Sequence, residues 1–75
     1  MDERKFHLVY DEETDILHIA LGTAKEAISV EQDDEVFLRI APDTGELVGL
    51  TILNFKGGFL RTRRSIEVPL VRVAV

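Results

Sequence analysis

The stretch Tyr10 to Leu21, Y-D-E-E-T-D-I-L-H-I-A-L, leaves this chain few ways to fold. It joins Phe6-His7-Leu8-Val9-Tyr10 through an acidic turn to a run in which Leu17, Ile19 and Leu21 share one side. Alternation at a period of two marks strands half buried in a sheet. If Leu8 and Leu17 are to face one core, they stand opposite one another or an even number of residues apart. The tightest such register pairs Leu8 with Leu17, Val9 with Ile16 and His7 with His18. It leaves Asp11-Glu12-Glu13-Thr14 as a four-residue loop, with Asp11 and Asp15 placed to accept bonds from turn amides.

A second hairpin follows from Pro42-Asp43-Thr44-Gly45-Glu46. Asp-Thr-Gly suits a type I turn closed by a glycine in the left-handed region. The same register pairs Ala41 with Leu47, Ile40 with Val48, Leu38 with Leu50 and Val36 with Ile52. Gly49 then stands opposite Arg39, leaving room for the longer side chain. Ala27-Ile28-Ser29-Val30 reads as a short strand before the acidic turn Glu31–Glu35, and Gly22–Glu26 as a loop.

Beyond Leu53 the pattern loosens. Asn54-Phe55-Lys56-Gly57-Gly58-Phe59 reads as a loop, because two adjacent glycines make a helix costly. Ser65 to Val75 is strand-like, with Pro69 breaking it at an edge or a bulge. The expectation is one mainly β domain over residues 1–75: a small antiparallel β-meander of five to six strands with little or no helix. Its core spans about residues 8–54, and residues 55–75 form a C-terminal extension.

In these registers Val9, Ile16, Ala20, Phe37, Ala41, Leu47 and Leu53 fall on the reverse face, which is too apolar to stand in water. Either the C-terminal segment or a second copy of the protein is expected to cover it. At 75 residues the chain buries only about 60–65% of its unfolded surface. It has no cysteine for a disulfide. Self-association is the remaining common route to stability, so a homodimer or higher homo-oligomer is expected, with Val71–Val75 suited to pairing across subunits.

No run approaches the roughly 18 apolar residues of a membrane span, and none has the form of a signal peptide. A soluble cytoplasmic protein is the reading. The net charge of −5 works against general nucleic-acid binding, since phosphates are repelled at long range.

Two blocks carry a family resemblance. Tyr10-Asp11-x-x-x-Asp15-x-Leu17-x-Ile19-x-Leu21 is similar to the opening signature of the small prokaryotic family catalogued as domain of unknown function 2283. Val36-x-Leu38-x-Ile40, followed by Gly45-Glu46-Leu47-Val48-Gly49-Leu50-x-Ile52-Leu53, resembles its closing hairpin. The resemblance covers roughly residues 8 to 54. It implies a short domain without established enzymatic activity. Because some relatives stand beside small toxin-like genes, it also implies a partner-binding or antitoxin-like role with a protein encoded nearby.

The candidate chemistry is sparse. His7 and His18, set side by side, are two metal ligands without a third, so the ordinary reading is two half-exposed sheet residues. Asp11, Glu12, Glu13 and Asp15 lack the glycine and alternate spacing of a calcium loop. Lys56, Arg61, Arg63 and Arg64, interleaved with Phe55 and Phe59, suit either nucleic acid or the protein's own acidic turns. No nucleophile motif and no phosphate loop stands in the chain. The expectation is therefore a non-catalytic, cofactor-free interaction module, with nucleic-acid binding through residues 56–64 as the alternative.

Overall fold

The computed structural model describes residues 5–22 and 26–68. Five strands, β1 (Phe6–Asp11), β2 (Ile16–Leu21), β3 (Ile28–Asp33), β4 (Val36–Ile40) and β5 (Leu47–Ile52), form one antiparallel sheet. This is the small meander read from the sequence. Its order is β1-β2-β5-β4-β3, so the β1–β2 hairpin meets the three-stranded β3–β4–β5 unit along the β2–β5 seam, and β1 and β3 are the edges.

The core forms where the alternation predicts. Val36, Leu38, Ile40 and Ile52 are at most 4% exposed, and Leu38 lies opposite Leu50 as Val36 does opposite Ile52. On the same side β2 contributes Leu17 and Ile19, β1 contributes Leu8 and Tyr10, and β3 contributes Val30. Each apolar side chain so buried contributes about 1.5–3 kcal/mol, set against the entropy of ordering the strand.

Both hairpins depart from the simplest register. In the first, Leu8 pairs with Ile19, Tyr10 with Leu17 and Asp11 with Ile16, a slip of two residues from the expected Leu8–Leu17 pairing. An even slip keeps every side chain on its face, so the hydrophobic pattern alone does not choose between the two. The loop becomes residues 12–15, and Asp15 takes a left-handed conformation at φ 57°. The choice falls to Asp15, whose carboxylate is used far from its own turn.

In the second hairpin Gly45 sits at φ 75° and donates its amide to the carbonyl of Ala41. Arg39 faces Gly49 as expected, but a bulge follows and Ile40 pairs with Leu47 in place of Val48. The extra residue re-aims Leu47. Leu47 consequently lines the core side and does not belong to the reverse face. Gly49 has a stricter reason to be glycine than room for Arg39. A Cβ there would lie 2.6 Å from the carbonyl oxygen of Ile19 on β2.

The Gly-Gly segment is a turn of π-helix, Phe55–Leu60, where an irregular loop was expected. Asn54 enters it in the left-handed conformation and accepts the amides of both Gly58 and Phe59 on its carbonyl. Its side chain folds over the turn, so a Cβ on Gly57 would meet Asn54 Oδ1 at 2.5 Å. The glycines accommodate that overlap.

Ser65 to Val68 form no strand, contrary to expectation, and the expected strand over 71–75 lies outside the described residues. The segment 55–68 packs on the core face: Phe55 touches Tyr10, and Val68 lines a groove with Leu8, Ile19 and Leu50. The C-terminal segment therefore covers, among the described residues, the face that already held the core. The reverse side keeps Val9 47% exposed, with Ile16, Ala20 and Phe37 half-buried.

Candidate functional site

Tyr10, Asp15, Phe55, Lys56 and Phe59 converge at the end of the sheet where the first hairpin turn meets residues 54–64. Asp15 is the centre. Its Oδ1 accepts the Tyr10 hydroxyl at 2.5 Å and the Lys56 amide at 2.9 Å, while Oδ2 accepts the Gly57 amide at 3.0 Å. Its own carbonyl accepts the Phe55 amide at 2.9 Å. The left-handed backbone at Asp15 turns both oxygens toward the π-helical turn.

Three donors on one carboxylate favour its charged form. The Tyr10 hydroxyl first, then the Lys56 and Gly57 amides, hold the Asp15 carboxyl below its usual range. The reciprocal effect on Tyr10 is large: bonding to Asp15, with smaller additions from desolvation and the nearby carboxylates, pushes its phenol up to about 12. A carboxylate kept ionised and occupied by three donors is a poor general base. The arrangement fastens the turn to the sheet.

Aromatic rings continue the attachment. Tyr10 and Phe55 lie 5.9 Å apart between centroids, tilted at 56°, and Phe55 stacks on Phe59 at 5.8 Å. Contacts of this geometry add about 0.5–1.5 kcal/mol beyond area burial.

The four candidate basic residues divide into two groups. The Lys56 ammonium stands 5.0 Å over the Tyr10 ring and 4.0 Å from Glu12. The Arg64 guanidinium stands 5.7 Å from the Phe59 centroid and 3.3 Å from Asp33. These two therefore meet the acidic turns of the same chain. Arg61 and Arg63 are exposed, and Arg63 carries a left-handed backbone at φ 55°.

The two histidines are not opposite one another. The slip of the first hairpin sets His7 against Ala20 and His18 against Val9. Among the described residues no group of three potential metal ligands forms, with these histidines or elsewhere. The Asp11 carboxylate accepts the Glu13 amide at 3.0 Å, which is turn chemistry of the kind expected there.

A second feature is purely apolar. At the β1 end of the core face lies a groove of about 280 Å³ lined by Phe6, Leu8, Ile19, Leu21, Leu50 and Val68, with Leu47 and Gly49 completing it. Phe6 and Leu8 are 68% and 61% exposed there. The groove was not anticipated, because residues 54–68 leave no periodic signal of which face they cover. No helix among the described residues is long and apolar enough to cross a membrane.

A family model described as "Protein of unknown function (DUF2283)" matches residues 7–56, which takes in both hairpins and the anchoring residues Tyr10, Asp15, Phe55 and Lys56. No curated protein and no solved structure matches the chain.

Proposed function

Since the chain belongs to this family of proteins of unknown function, we propose that it is a non-catalytic cytoplasmic interaction module that self-associates through the reverse face of its sheet. One observation carries this reading. The chain's own lid, residues 55–68, lies on the core face, and Val9, Ile16, Ala20 and Phe37 stay half-buried or exposed on the other. An apolar sheet face is ordinarily covered by a second layer. A second copy related by a two-fold axis would meet it with the same residues, the commonest closed arrangement for a small domain.

The sheet edges support the same reading. At β3, the residues Glu31, Gln32 and Asp33 and a register shift between Glu31 and Asp33 discourage pairing. No charge interrupts β1 between Phe6 and Tyr10, and among the described residues its outer backbone groups meet no neighbouring strand. A protein partner encoded nearby, as for an antitoxin-like module, would use the surfaces that self-association leaves open.

Light scattering across a range of concentrations tests the proposal. A mass of at least twice 8.5 kDa, falling to one copy in a Val9→Asp/Phe37→Asp variant, supports it. A wild-type mass of one copy at every concentration overturns it. The alternative rests on exposed Arg61 and Arg63. It requires salt-sensitive binding of short duplexes that an Arg61→Ala/Arg63→Ala/Arg64→Ala variant loses.

A further inference from the structure

Three of the five exposed large apolar side chains among the described residues lie on β1: Phe6, Leu8 and Val9, at 68%, 61% and 47%. Phe6 and Leu8 point to the core face and Val9 to the reverse face, as alternation requires. A cover over either face would shield one set and leave the other. The neighbour that shields both stands beside the strand.

The backbone shows which groups such a neighbour would meet. Gly22 donates its amide to the Lys5 carbonyl at 2.9 Å, so the backbone groups of Lys5 point toward β2. Direction alternates along an antiparallel strand, which turns His7, Val9 and Asp11 inward as well. Phe6, Leu8 and Tyr10 are left with amide and carbonyl facing out. The sequence about Leu8 complements its own reverse. Outward from Leu8 stand His7 and Val9, then two aromatic rings, Phe6 and Tyr10, then opposite charges, Lys5 and Asp11.

We propose that β1 pairs antiparallel with β1 of a second copy about a two-fold axis at Leu8, joining the two sheets into one. Leu8 then meets Leu8 of the second copy, Phe6 meets its Tyr10, and Lys5 meets its Asp11. The outward-facing residues are the ones opposed, so each of these pairs from Phe6 to Tyr10 exchanges two backbone hydrogen bonds. Aromatic pairs and opposite charges set directly across an antiparallel pair stabilise it. Neighbouring axes do worse. An axis at His7 sets two histidines together and leaves Tyr10 beyond the end of the other strand. An axis at Val9 leaves Phe6 beyond it, and both separate Lys5 from Asp11. The β3 edge cannot serve in the same way, because Glu31 and Asp33 would face their own kind.

The edge pair goes beyond the reverse-face reading and does not rest on it, since one surface lies beside the sheet and the other over it. Val9 belongs to both surfaces. Phe37, on β4, belongs to the face alone, with β2 and β5 between it and β1. Leu8→Cys in a Phe37→Asp background therefore tests the edge by itself, in a chain with no native cysteine. Opposed Cα atoms about 5.5 Å apart suit a disulfide. Mild oxidation is expected to link two copies in several-fold higher yield than in Ile28→Cys/Phe37→Asp, whose thiol lies on the β3 edge. Equal yields overturn the proposal.

Residue-resolved amide exchange in the unaltered chain gives a second measurement, should a variant fail to fold. The Phe6, Leu8 and Tyr10 amides are expected to slow several-fold as concentration rises, while those of His7 and Val9 stay slow throughout. Fast exchange of the first three at every concentration overturns the edge pair, and a mass of two copies alongside it would leave the reverse-face reading standing. Slow exchange of the same three in a sample of single copies would place another segment of the chain on the edge, and overturns the proposal too.

Discussion

Tyr10 donates its hydroxyl to Asp15 at 2.5 Å from the far side of the first hairpin turn, and the same carboxylate oxygen takes the amide of Lys56, forty-one residues away. One acceptor thus fixes both the register of β1 on β2 and the seat of the π-helical turn. The pair can be observed directly, because Tyr10 is the single tyrosine and there is no tryptophan. Ultraviolet titration of the folded protein is expected to show phenol ionisation near 12, against about 10 for the unfolded chain. In Asp15→Asn the folded value should move back toward 10. A wild-type value near 10 would mean that the hydroxyl does not hold this bond in solution.

The acid side follows from the partner. The Asp15 carboxyl is held below its ordinary value of 3.8, so its contribution to stability is fully present above that value. It is lost as pH falls through the lower folded value, because the unfolded chain takes up the proton first. Tyr10 runs the other way: with its folded value raised, its contribution is complete below 10 and is lost as pH rises toward 12. Urea unfolding midpoints of wild type and Asp15→Asn, measured from pH 7 down to pH 2, are expected to converge as the acid end is approached. Parallel curves would show that Asp15 carries none of the acid sensitivity.

The sheet was legible in the sequence because alternation and turn chemistry agreed at Val36–Ile52, where Val36–Ile52, Leu38–Leu50 and Arg39–Gly49 pair as the residues require. The illegible parts have physical causes. A two-residue slip of the first hairpin changes no side chain's face, so Leu17 and Leu21 look the same in either register. The deciding bonds join Asp15 to amides at 56 and 57, and no local spacing announces a contact that distant. The bulge at Arg39–Ile40 moved Leu47 to the core side for the same reason: one extra residue in a strand leaves no mark on composition. The basic residues were foreseen to have two uses, and Lys56 and Arg64 show one of them within the chain.

Gly49 tests the seam between the β1–β2 hairpin and the three-stranded β3–β4–β5 unit. β2 and β5 are neighbours in the sheet, and a Cβ on Gly49 would press against the Ile19 carbonyl oxygen at 2.6 Å. The obstacle is backbone, so it cannot swing aside as a side chain can. Gly49→Ala is expected to destabilise the fold by about 1–3 kcal/mol, the range for overpacking a tight site. Amide exchange should quicken in β2 and β5 ahead of β3 and β4. Denaturant midpoints within error of wild type would refute this reading of the seam.

Gly57 presents the opposite situation, because a Cβ there would strike a side chain. The nearest atom is Asn54 Oδ1 at 2.5 Å, and Asp15 Oδ2 follows at 3.4 Å, within ordinary contact. Gly57→Ala alone is therefore expected to cost less than Gly49→Ala, about 1 kcal/mol, since the exposed Asn54 side chain makes no cap bond and can move aside. Asn54 itself occupies a left-handed backbone at φ 53°, a conformation that glycine adopts without strain. Asn54→Gly removes the obstruction and preserves that conformation. In its background, Gly57→Ala should cost less than half as much, and the better helix propensity of alanine acts in the same direction. The double-mutant cycle isolates the Asn54–Gly57 overlap as a non-zero coupling, the double variant costing less than the sum of the two single ones. Strict additivity of the two substitutions would show that the glycine is required by the backbone of the turn, with Asn54 a bystander.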